Sequence, residues 1–143
     1  MLLKSLRAFG LAATFVAAAV GSIWAAVPLS TIRAMQTAAP EAVNITAISV
    51  DKTSSTRHAN AQTVTTIDVT LTAKVDVVVR TASSLVPGSV IVVRYEIMHS
   101  EPPTPGPQQN IILNPGEKAV AYLKHNNGNN FTCAAAPGCL DKL

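Results

Sequence analysis

The chain has 143 residues, of which 48% are hydrophobic, 13% charged and 4% aromatic. That length holds one small domain and is too short for a TIM barrel or a two-half dinucleotide-binding fold. The formal charge of +3 includes Lys4 and Arg7; beyond them the basic residues are scattered singly among acids, which excludes a clustered nucleic-acid footprint.

Residues 1–25 have the pattern of a secretory signal. Lys4 and Arg7 form a positive start, and Ala8 to Val20 is an uncharged apolar run of the length an export segment needs. Small residues place cleavage after Gly21 or Ala25. If the segment stays uncleaved, it is nearly long enough to anchor the chain in a membrane. The Ala-rich composition points to a bacterial protein, exported to the periplasm or secreted.

Residues 26–41 are expected to form a flexible N-terminal arm with a helical turn near Thr31–Thr37, bounded by Pro28 and Pro40. A single β-domain is expected over residues 42–143. Val43 to Val50 is rich in β-branched residues and predicts a strand. The polar stretch Asp51 to Gln62 predicts a loop or wide hairpin connection.

Thr66 to Arg80 alternates strictly. Ile67, Val69, Leu71, Ala73, Val75, Val77 and Val79 share one face, and polar residues dominate the other. Such a strand spans ~45 Å and must bend, with Ala73 the least bulky inward position. Pro87-Gly88 is a turn. Val90 to Met98 is a third strand with Ile91, Val93, Tyr95 and Ile97 on one face and its first half buried on both sides.

Glu101 to Gln109 carries Pro102, Pro103, Pro105 and Pro107. It predicts a stiff polyproline-II-like loop, either a spacer or a segment for a partner to grip. Pro115-Gly116 is another turn. Lys118 to Lys124 is a fourth strand, Asn126 to Asn130 a tight turn, and Phe131 to Ala135 a short fifth strand.

The two cysteines, Cys133 and Cys139, predict a disulfide in an exported chain. Together these elements predict an all-β fold: a small five-stranded antiparallel barrel or sandwich, OB-like, after a cleaved N-terminal signal helix.

The succession of a long bent strand, Leu85-Val86-Pro87-Gly88-Ser89-Val90, a Pro-rich loop and Pro115-Gly116-Glu117 leading to Ala121-Tyr122-Leu123 resembles the small secreted OB-like barrels of the netrin-module and metalloproteinase-inhibitor type. The resemblance covers roughly residues 42–131. It implies a barrel and a binding role. It carries over no functional residue, because the cysteine segment those inhibitors dock on a metal has no counterpart here.

The chemistry is sparse. No G-x-S-x-G and no Gly-rich phosphate loop occurs. Asp68 and Asp76 share the wet face of the long strand but lie ~26 Å apart if it is straight, too far for paired acid–base work. His58, His99 and His125 fall at predicted loops or strand ends. If two strand ends meet, Met98, His99 and His125 form a soft N/S set suited to copper.

No enzyme activity, no cofactor and no nucleic-acid partner is expected. The leading expectation is an exported non-catalytic binding module whose partner is an unknown protein or envelope component, with membrane contact only if the N-terminal segment is uncleaved. The alternative is a small periplasmic copper-type metal-handling protein.

Overall fold

The computed structural model describes residues 27–103 and 110–143. The expected signal segment and the positions Pro105 and Pro107 lie outside those residues. Among the described residues one helix and six strands follow in chain order: α1 (Leu29–Ala38), β1 (Glu41–Ala59), β2 (Gln62–Arg80), β3 (Val90–Glu101), β4 (Lys118–Asn127), β5 (Asn130–Cys133) and β6 (Leu140–Lys142).

Five strands close on themselves in the order β1-β2-β3-β5-β4-β1, and β6 adds to the side of β4. The all-β barrel or sandwich expected from the alternation is therefore the fold. Two details depart from it. The β3–β5 pair is parallel, and a sixth strand, β6, follows the disulfide. Three residues are too few to show periodicity, so β6 exists only because the edge of β4 is there to pair with.

The core forms where the alternation places it. Val69, Leu71, Ala73 and Val75 of β2, Ile91, Val93, Tyr95 and Ile97 of β3, and Ala119, Ala121 and Leu123 of β4 are all buried. The phase breaks at the end of β2. Val77 is 50% exposed and Val79 66% exposed, against the inward positions their odd numbers imply. The register explains it. Ile45 pairs with Val75 and Asn44 with Val77, leaving Asp76 as an extra residue, and Val79 is extra in the same way. Each bulge turns the following side chain to the other face. Asp76 is held on its bulge by a hydrogen bond from Thr46 Oγ1. A third bulge leaves Ile48 of β1 unpaired opposite Ala73 and Thr72. So the irregularity expected at Ala73 sits on the facing strand. Val90, expected to be buried on both sides, is 48% exposed.

The segment expected as a flexible arm contains a docked helix. Ten residues are marginal as an isolated helix, and α1 has no side-chain cap at its start. Tertiary contacts hold it instead. Ile32 is buried, and Gln36 Nε2 donates to Gly138 O at 2.9 Å. Gly138 has φ +92°, and a Cβ there would meet Ile32 Cγ2 at 2.5 Å, so only glycine lets the helix approach. Arg80 reaches back from β2 and donates to Ala39 O at 2.7 Å and to Gln36 O at 2.9 Å, satisfying carbonyls at the helix C-terminus. Pro40 then prevents continuation.

Glu41, expected as the last residue of the arm, is fully buried. Its Oε1 accepts from Ser83 N at 2.8 Å and Ala82 N at 3.2 Å, which ties the β2–β3 connection to the start of β1. At the other end of the sheet, Glu117 pairs with Lys142. The hydrogen bond from Lys142 and the N–H of Asn114 hold the Glu117 carboxyl below its ordinary range.

Tyr95 anchors the segment that leads into β4. Its hydroxyl donates to Ile111 O at 2.8 Å, and burial pushes its phenol up to about 12. Because the folded value lies above the unfolded one, the folded state keeps its proton longer. The associated stability is complete below pH ~10 and falls as pH rises toward ~12. Urea unfolding midpoints across that window should drop steeply in the parent protein and less in Tyr95→Phe.

Candidate functional site

The polar stretch Asp51–Gln62, expected as a loop, is mostly paired strand. β1 and β2 stay in register from Ser49↔Thr72 to Ala59↔Gln62 without a slip. Asn60 (φ +51°) and Ala61 (φ +58°) form the connection, a two-residue turn of the type whose twist matches a hairpin. Alanine is an uncommon occupant of such a position, which hides the turn in the sequence. The β-branched run Thr63-Val64-Thr65-Thr66 was the available signal that β2 begins earlier than Thr66.

β3 runs alongside up to Thr63↔Glu101. The result is a three-stranded blade that extends beyond the closed ring. Every residue from Asp51 to Ala61 is exposed. The blade has two faces. On the side continuous with the core, the last apolar row is Ser54–Ile67–Ile97, followed by Thr56–Thr65–His99 and then His58–Thr63–Glu101. Here Thr56 and Thr65 hydroxyls lie 3.3 Å apart, and His58 Nδ1 is 3.0 Å from Thr63 Oγ1. On the outer side the rows are Asp51–Thr70–Arg94, Thr53–Asp68–Glu96, Ser55–Thr66–Met98 and Arg57–Val64–Ser100. A surface recess of about 330 Å³ lies over Asp68–Thr70 and Arg94–Glu96. The neighbour of Asp68 is therefore Glu96, directly opposite it, while Asp76 is engaged with Thr46.

The ring does not bring Met98, His99 and His125 together. His125 pairs with Phe131, which pairs with Val93. His99 is six residues further along β3, ~20 Å at the rise of a strand. His125 is engaged in its own turn: its ring centroid lies 5.0 Å from that of Phe131, and Nε2 is 2.9 Å from Gly128 O. Among the described residues no group of three or more His, Cys, Asp or Glu is placed to hold a metal ion. The copper-type set fails because strand ends adjacent in sequence order lie at different heights on the ring.

Cys133 and Cys139 are joined as a disulfide, with Cα atoms 5.3 Å apart. Pro102 and Pro103 follow the tip of β3 and are exposed, so these two prolines lie at the end of the blade. Among the described residues no helix is long and apolar enough to cross a membrane. Comparison with protein-family models, with curated proteins and with solved structures finds no match.

Proposed function

We propose that this chain is an exported, non-catalytic β-module that binds a protein or another envelope component through the faces of its blade. The observation that supports this is the blade itself. Three paired strands are carried past the ring, where their side chains add little to the buried core. A hairpin that stabilises little and presents ordered hydroxyl, imidazole and carboxylate groups is suited to recognition. The disulfide and the positively flanked apolar run at residues 1–25 support export.

Photo-crosslinking in an exporting host tests the reading. A crosslinking side chain at Thr65 or Thr66, one on each face of the blade, should give a discrete adduct with another molecule. The same group at Lys124, exposed on β4, should give none. Equal labelling from Lys124, or no adduct from either blade position, sinks the proposal.

A further inference from the structure

The blade has an edge as well as faces. On its far side from β2, β1 pairs with β4 only from Glu41 to Thr46, and Ala47 then bonds the turn at Gly116 and Glu117. From Ile48 to Ala59 that edge has no strand beside it among the described residues. Unpaired edges template pairing with another chain.

The direction of each backbone group follows from the turn. Ala59↔Gln62 closes a two-residue hairpin turn, so it is a hydrogen-bonded pair, and such pairs alternate along the ladder. Arg57, Ser55, Thr53 and Asp51 therefore bond to β2. Lys52, Ser54, Thr56 and His58 occupy the closer, non-bonded pairs. The cross-strand contacts Thr56–Thr65 and His58–Thr63 agree with that assignment. The N–H and C=O groups of Lys52, Ser54, Thr56 and His58 consequently point out from the edge.

We propose that this edge pairs antiparallel with the same edge of a second copy, with Ser54 on the two-fold axis. A two-fold ladder must match outward residues with outward residues. With Ser54 on the axis, Lys52 bonds Thr56, Val50 bonds His58, and about ten N–H···O bonds form. Asp51 then lies opposite Arg57, twice by symmetry, in the pairs where side chains approach most closely. Moving the axis to Thr53 sets Asp51 against Ser55. Moving it to Ser55 sets Lys52 against His58. Only the Ser54 register matches opposite charges. The proposal goes beyond the binding reading, since an edge-paired dimer leaves both blade faces open.

Sedimentation equilibrium of the purified, disulfide-intact protein tests it without any partner present. A reversible dimer is expected. Ser54→Pro removes an outward N–H and no bond to β2, and should abolish the dimer while the circular dichroism spectrum is kept. Asp51→Arg should weaken dimerisation about tenfold by placing like charges opposite each other. The double variant Asp51→Arg/Arg57→Asp should restore it, even if the proline variant fails to fold. A monomer at all concentrations overturns the proposal, as does a dimer indifferent to Asp51→Arg or one the double variant does not rescue.

Discussion

Replacing Phe131 with alanine is expected to cost about 3–5 kcal/mol, a large part of the stability of a domain this size. The reason is its place in the ring. β5 has four residues, yet among the described residues it alone joins β3 to the far half of β4. Phe131 pairs in parallel with Val93 and antiparallel with His125, and only 1% of it is exposed. Truncation leaves a cavity at that junction and removes the ring against which His125 packs. Denaturant unfolding of the parent, Phe131→Ala and Phe131→Leu should show a large loss for alanine and a recovery of more than half of it for leucine. A loss below about 1 kcal/mol for alanine would mean that closure does not depend on this side chain.

The second large effect is expected on removing the disulfide. Cys133→Ala/Cys139→Ala releases a seven-residue ring, for which chain entropy assigns ~2.4 kcal/mol. The consequence should also be local. Tyr122 N donates to Cys139 O at 2.9 Å, and Ala134 N donates to Tyr122 O at 3.0 Å, so the loop is stitched to β4. The same loop presents Gly138 to Ile32 and Gln36 of α1 and leads directly into β6. Hydrogen exchange in the double variant should lose protection first in α1 and β6, with β1, β2 and β3 keeping theirs. Uniform loss across the sheet would show that the loop supports the ring as a whole.

The inward faces of β3 and of β2 as far as Val75 were legible from alternation alone, because a half-buried strand must repeat every two residues. The disulfide was legible from cysteine count and context. The blade was not. Asp51–Ala59 has no apolar period, and it is a strand because β2 supplies its ladder and because Ala61 accepts a positive φ. The neighbour of Asp68 across the sheet, Glu96, was not legible either, because cross-strand pairing depends on register rather than on local pattern.

By itself the sequence determined which stretches alternate as strands and where the chain turns at Pro-Gly and Asn-Gly, since those are properties of single residues and their nearest neighbours. Tertiary structure decided the rest. The bulges at Asp76 and Val79 expose Val77 and Val79. A short helix is stable because Gly138 and Arg80 receive it. Met98 and His99 are separated from His125 by strand register. Each depends on the register and spacing of segments far apart in the chain, and no local pattern encodes where a distant strand will lie.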